Sequence, residues 1–371
     1  MRDERAHLQL FDLIARDWTL PSQARQITFN ADSSAVAFAC VDGTIQLAAT
    51  VDKASASLRT RRAIDTGRLT IAPRDKPFLP LKSADFTEGR SSDVVPYGVA
   101  GFAFAKSTGR INTLTAGGIA VHMKVRAQAG ITILATSPDG SNVAFSCGAQ
   151  VCIADVAGTS LRYVPAASIV RAMAFSPDGA VLAVTYANGV SRWLLEAIND
   201  PPFEAAFVGT PTDLAWHEDG TWLAVGLAEE GFCLINTTEN SVRLHGNFPS
   251  PVRSVKFGRS TNTITAPGAF RVAAWDLADG HAIATGKPGL VLVSAVATSP
   301  NRNLVAVGYA NGLLSLAEIG RPSEILLRED TGVAIDTMAW SPDGNYLALS
   351  GADGTAALVE FPDAMFKSAA N

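Results

Sequence analysis

The stretch MAFSPDGAVLAVTYANGVSRW, residues 173–193, decides how this chain is read. It holds three apolar runs separated by two turns, and each turn has its own chemistry. In S-P-D-G, proline presets φ at the second turn position, aspartate bonds nearby backbone N–H groups, and glycine takes positive φ. Asn188-Gly189 is a dipeptide that tight two-residue hairpins favour. The runs are rich in small and β-branched residues, so the segment reads as three strands joined by two hairpins.

The unit recurs along the chain. It returns as LAWHEDGTWLAVGLAEEGFCLIN (214–236), VKFGRSTNTITAPGAFRVAAWD (255–276), VATSPNRNLVAVGYANGLLSL (296–316) and MAWSPDGNYLALSGADGTAALVE (338–360). Before it stand LATSPDGSNVAFSCGAQVCIAD (134–155), ITFNADSSAVAFACVDGTIQL (27–47) and the degenerate FAFAKSTGRINTLTAGGIAVH (102–122). From Asp139 through Asp178, Asp219, Ser260 and Asn301 to Asp343 the steps are 39, 41, 41, 41 and 42 residues. Three strands plus a linking segment long enough for a fourth, at a period near 40, point to a β-propeller. The expected fold is all-β: one propeller of four-stranded blades over residues 1–371, eight blades favoured over seven.

Composition agrees with a well-buried, turn-rich chain. Of 371 residues 47% are hydrophobic and 18% charged, with 31 Gly and 19 Pro. No uninterrupted apolar run is long enough to span a membrane. The first residues, MRDERAHLQLFDLIARDW, carry charges throughout and lack the apolar core of a secretory signal. A cytoplasmic protein with no membrane partner is expected. Cys40, Cys147, Cys152 and Cys233 are too sparse for a disulfide scaffold and read as buried thiols, while C-x4-C at 147–152 is a weak metal signal.

The net charge of −5 excludes a general nucleic-acid binder, which needs a concentrated basic face. Charge is nevertheless uneven. Residues 53–90 hold nine Lys/Arg against four Asp/Glu, leaving 21 basic and 31 acidic residues elsewhere. This basic insertion, about residues 50–96, is too long for an ordinary connection. Part of it, around Arg62–Thr66, is expected to form the outer strand of the first blade, and its basic excess suits an acidic partner. The last unit stops near Phe361 without an outer strand. LFDLIARDWTLP is placed to supply it, closing the ring with Trp18 in the core of the closing blade.

With Trp275-Asp276 ending a third strand, and Asp155 and Asn236 at the matching place, the units resemble WD40 repeats over about residues 20–361. The Gly-His dipeptide of that family is missing apart from Gly280-His281, which falls in another turn. An Asp-His-Ser/Thr-Trp network is therefore not expected, and the blades must rely on apolar packing. VAVGYANGLLSLAEIGRPSEILL (305–327) and the unit after it resemble bacterial WD40 proteins of unassigned activity whose genes often lie near metallochaperone-type GTPases. The resemblance implies a non-enzymatic interaction scaffold, with a link to metal homeostasis and such a GTPase as partner.

No phosphate loop, H-E-x-x-H or G-x-S-x-G element is present. The five histidines share no metal-like spacing. No catalytic residue, metal ligand or cofactor is assigned, and the alternative function is an enzyme or a small-ligand or metal sensor using the central channel. Aligning the repeats offers candidates of another kind. One position, entering the first strand, runs Arg25, Ala100, Thr132, Arg171, Thr212, Arg253, Ser294, Asp336. Arg25, Arg171, Arg253 and Asp336 there are expected to anchor an acidic or phosphorylated segment of a protein partner, with salt bridging between blades as the structural alternative. The residue ending the second strand runs Cys40, Ala116, Cys147, Tyr186, Leu227, Ala266, Tyr309, Gly351. Tyr186 and Tyr309, beside Asn188 and Asn311, are expected at the rim of the same face, although tyrosine packing and asparagine turns account for them structurally as well.

Overall fold

Every S-P-D-G turn is closed by the same three bonds. Ser137 Oγ donates to Asp139 Oδ1 at 2.5 Å, and that carboxylate accepts the N–H of Ser141 at 3.0 Å. Asn142 N then donates to Ser137 Oγ at 2.9 Å. Ser176/Asp178 and Ser341/Asp343 repeat the set, with Gly140, Gly179 and Gly344 at φ of 70°, 74° and 69°. These donors hold the Asp139 carboxyl at about 2, the Ser137 hydroxyl contributing most. Each of these turns is thus encoded by residues within a few positions of one another.

The computed structural model describes residues 8–366 apart from 85–90, 128–129, 148–149, 230, 247, 249–250, 253, 259–261 and 268–269. Its hairpins build eight four-stranded antiparallel sheets, arranged as the blades of a propeller. Blade 1 contains Ala24–Phe29, Ala35–Cys40, Ile45–Ala49 and Lys82–Ser83; blade 4, typical of the set, contains Val170–Phe175, Val181–Tyr186, Gly189–Leu194 and Phe203–Ala206; in chain order blade 2 spans 91–126, blade 3 134–165, blade 5 211–245, blade 6 256–285, blade 7 293–328 and blade 8 335–360. Inner strands run from what we term the upper face to the lower, so the second-to-third hairpins and the connections between blades lie above. S-P-D-G turns lie below. Where blades converge the residues are small: second-strand Ala144, Ala183, Ala224, Ala306 and Ala348 are all fully buried, and each pairs with an inner-strand alanine.

Neighbouring blades are also joined at their inner strands. Trp216 Nε1 donates to the carbonyl of Ala174 at 3.2 Å and Trp340 Nε1 to that of Ala297 at 2.9 Å. Thr136 Oγ1 reaches the carbonyl of Pro96, and Thr265, in the second strand of blade 6, bonds Thr298 of the inner strand of blade 7. These links cross blades 2–3, 4–5, 6–7 and 7–8.

Ring closure follows expectation in its pairing. Ala15–Thr19 adds to the third strand of blade 8, Thr355–Glu360, with Ala15 opposite Val359 and Thr19 opposite Thr355. The residue that this strand buries is Arg16, not Trp18. Trp18 is half-buried, stacks edge-on against Phe78 of the insertion and donates Nε1 to the carbonyl of Leu79. Arg16, 5% exposed, donates to the carbonyl of Thr50 at 2.8 Å and faces Asp52 at 3.6 Å, while Arg74 holds the same carboxylate at 2.7 Å. Burial lowers the Arg16 pKa, partly offset by Asp52.

Two expectations are corrected. The outer strand of blade 1 is Lys82–Ser83; the segment around Arg62 belongs instead to a separate hairpin, Thr60–Arg62 with Leu69–Ile71. In blade 2, FAFAK is the second strand. The first is Ser91–Tyr97, the third Arg110–Thr115 and the outer Ala120–Arg126. Its lower turn is therefore Gly98–Ala100, with Val99 40 residues before Asp139, which restores the period. Ala100 and Ala116 drop out of the aligned series, and Lys106, opposite Ser91, takes the place of Ala116.

Two outcomes test these contacts. Asp52→Ala leaves the buried Arg16 guanidinium without its nearby carboxylate and should cost about 3 kcal/mol, read as a fall in melting temperature. His245 stacks on Phe232 at 4.7 Å beside Trp275, and burial, with Arg243, lowers its pKa. Its Nε2 has no hydrogen-bond partner among the described residues. Because the folded form resists protonation, stability should fall as pH drops below roughly 6.5, the unfolded value. His245→Phe should flatten that acid limb in melting curves taken between neutral and mildly acidic pH.

Candidate functional site

The upper face gathers the starts of the inner strands and the ends of the second strands. Register places them together: Ala24 lies opposite Cys40, Val170 opposite Tyr186, Val293 opposite Tyr309 and Ile335 opposite Gly351. Arg25, Arg171 and Asp336, each one residue into its inner strand, therefore share an end with both tyrosine hairpins. They do not share a role. Arg25 pairs with Asp93 at 2.6 Å, and Asp336 accepts from Gln23 Nε2 at 2.5 Å. Arg171 is exposed, and its side chain makes no hydrogen bond or ion pair among the described residues. Arg253 lies outside the described residues.

Both tyrosines turn inward. Tyr309 is 6% exposed, and its hydroxyl donates to Glu324 of the outer strand at 3.0 Å, a carboxylate that also accepts from Ser315 Oγ at 2.6 Å and Lys287 N at 2.7 Å. Burial, then Glu324, pushes the phenol up to about 12. Tyr186 is half-buried, with its hydroxyl 2.8 Å from Ser191 Oγ, and a Cβ on residue 189 would lie only 3.0 Å from its ring. The ring thus crowds position 189, while the positive φ of the turn falls on Asn188. Asn188, at φ 69°, and Asn311 fasten each hairpin to the connection entering the next blade. The Asn188 carbonyl accepts from Phe207 N, and that of Asn311 from Thr331 N and Gly332 N.

Around the axis the inner strands line a cavity of about 650 Å³. Gln26, Asp213, Ser254 and Thr337 border it, all at the position one residue after the arginine series. Lys256 Nζ lies 2.9 Å from Asp213, which also accepts the N–H of Val255 at 3.0 Å. Shifting the repeat comparison by one residue would have found this polar set. Among the described residues no group of three or more His, Cys, Asp or Glu is placed to hold a metal ion. Cys40, Cys152 and Cys233 are buried, and burial raises all three thiols, those of Cys152 and Cys233 to about 12.

Large apolar side chains are unevenly spread over the connections. Val41, Ile169, Val208, Phe270, Leu290 and Leu292 are exposed on upper-face connections, whereas outside the insertion the lower face shows Val99 and Ile119 among the described residues. Leu290 is 95% exposed and Val208 83%. The N–H of Gly289 bonds the carbonyl of Phe270, which brings Phe270, Leu290 and Leu292 to one place. A motif search misses these residues because they fall in the variable linkers between repeats.

Tyr309→Phe removes a hydrogen bond to a buried carboxylate and should destabilise by about 1.5–3 kcal/mol, against about 1 kcal/mol or less for Tyr186→Phe, as measured by denaturant melts. Equal losses would show that Glu324 does not depend on the phenol.

Comparison with known proteins finds one repeat by sequence and the whole ring by fold. Residues 326–358 match the family model "WD domain, G-beta repeat". The match starts in the outer strand of blade 7 and ends in the third strand of blade 8, so the sequence repeat is offset from the structural blade. Among solved structures, the computationally designed Ika8 protein is 18% identical with a TM-score of 0.68, covering 95% of this chain and 100% of its own. The C-terminal WD40 domain of Sif2 is 13% identical with a TM-score of 0.64, covering 95% and 99%. A chain of the Mitotic Checkpoint Complex is 17% identical with a TM-score of 0.56, covering 73% and 90%. A match to one WD40 repeat within an eight-bladed ring of this kind is consistent with a WD40-repeat β-propeller.

Proposed function

We propose that the chain is a non-enzymatic recognition module that binds a protein partner through the upper face. The observation that carries this reading is the concentration of exposed apolar side chains on that face, with an unpaired Arg171 among them. Apolar anchors beside a cation suit a protein segment bearing hydrophobic side chains and a carboxylate or phosphate. Arg171 is the arginine of the aligned series best able to serve, because Arg25 already pairs with Asp93. Tyr186, Tyr309, Asn188 and Asn311 support the reading indirectly, by making the hairpins and connections rigid. WD40 propellers are typically interaction scaffolds, which agrees with a protein as partner. The resemblance noted in sequence extends the reading to a cytoplasmic, bacterial setting and a metallochaperone-type GTPase.

A second reading, a small polar ligand held in the axial cavity, rests on the Lys256–Asp213 and Arg25–Asp93 pairs at its wall. Affinity capture from the native cell separates the two. Wild-type chain should retain a protein partner at near one-to-one ratio, and a variant carrying Ile169→Glu, Arg171→Glu and Leu290→Glu should lose it while keeping its melting temperature. Capture undiminished by the triple variant would refute the upper face as the binding surface.

A further inference from the structure

In its described residues the basic insertion is not a loose loop. Its base is tied to the closing strand and to blade 8 at several points. Asp52 joins Arg16 and Arg74, and Glu360 accepts the N–H groups of Ala56 at 2.7 Å and Ser57 at 3.0 Å. Arg59 donates to the carbonyls of Leu13, Ala54 and Ala72, and Ser55 accepts the N–H of Leu58. From this base rises the hairpin Thr60–Arg62/Leu69–Ile71.

Strand alternation gives the hairpin two faces. Thr60, Arg62, Leu69 and Ile71 share one, since Thr60 pairs with Ile71 and Arg62 with Leu69. This is the inward face: Ile71 packs on the core around Phe11 and Ile14, and Arg62 reaches the carbonyl of Ala364. Arg61 and Thr70 pair on the other face, and Ala63 and Arg68 continue it through the bond from Ala63 N to the Arg68 carbonyl. Arg61 and Arg68 are exposed there, and Ile64 at the tip is fully exposed, with Asp65 beside it. Neither arginine forms an ion pair among the described residues; Arg61 bonds the carbonyls of Leu58 and Thr60. Over the described stretch 53–84 the balance is eight Lys/Arg against Asp65 and Asp75, in a chain of net charge −5.

We propose that the outward face of this hairpin is a second docking surface, which takes an acidic protein segment carrying an apolar side chain for Ile64. Charge complementarity selects the occupant, and the anchored base presents Arg61, Ile64 and Arg68 without a large ordering cost. The surface is independent of the upper face.

The test uses the full chain and a fluorescein-labelled peptide of alternating glutamate and leucine, read by anisotropy at low and raised salt. Wild-type chain should bind the peptide, and Arg61→Glu/Arg68→Glu should weaken binding by about tenfold or more at low salt, with a shallower salt dependence. Ile64→Ser should weaken it by about threefold at both salt concentrations, the scale of one exposed apolar contact. Arg171→Glu/Leu290→Glu, which removes any capture of the peptide by the upper face, should leave in place the binding that Arg61→Glu/Arg68→Glu weakens, which keeps failure here distinct from failure of the upper face. Melting curves verify that each variant is folded. The proposal is overturned by no binding to wild type, by binding that survives Arg61→Glu/Arg68→Glu, or by tighter binding to duplex DNA or phosphatidylserine vesicles. Self-association of the chain at low salt that the same variant abolishes would also overturn it, by making a second copy the occupant.

Discussion

The pairing of Ala15–Thr19 with Thr355–Glu360 is the interaction on which the rest of the molecule depends. Each blade has two apolar faces, and only its neighbours cover them. A row of such sheets would leave two faces and an outer edge exposed at its ends. Joining the first strand to the last blade removes all three liabilities at once. It also explains why a charged residue is tolerated at the seam. Arg16 is buried where the closing strand, the insertion and the end of the third strand of blade 8 meet, and its charge is met by Asp52 and a carbonyl in place of water.

That arrangement gives the insertion a structural meaning. The same residues that seal the seam, Asp52, Arg74, Arg59 and Glu360, also hold the hairpin base. A segment that would otherwise be a long basic loop is thereby made part of the closure, so the position of its tip and the integrity of the ring are linked. On the upper face the logic differs. There the hairpins and connections are stiffened by Asn188 and Asn311 through the backbone, while Tyr186 and Tyr309 spend their hydroxyls inside their own blades. What such a face offers a partner is the linker side chains between repeats.

How much could be read from residues alone varies along the chain. Six units were legible because their lower turns carry S-P-D-G or a relative, and three of these add Asn-Gly or Asp-Gly above. Blade 2 was misregistered by one strand because its lower turn, Gly98–Ala100, lacks that signature and FAFAK imitates a first strand. Blade 1 hid its outer strand for a related reason. Lys82–Ser83 is two residues long, and it pairs only with Gln46 and Leu47, so nothing in its composition marks it. The candidate site was legible as an end of the ring but not in its members, since Arg25, Arg171 and Asp336 occupy one aligned position yet meet different neighbours.

By itself, then, the sequence determined the blade: strand alternation and turn residues act over a few positions, and each unit encodes its own hairpins. It determined the ring as well, through a period near 40 and a last unit lacking its outer strand. Only the tertiary structure decided which side chains remain available at the surface. Availability depends on partners far along the chain, such as Asp52 for Arg16 or, some 300 residues away, Glu360 for the amides of Ala56 and Ser57. Hydrogen bonding and burial of that kind are properties of the closed ring, and no local pattern carries them.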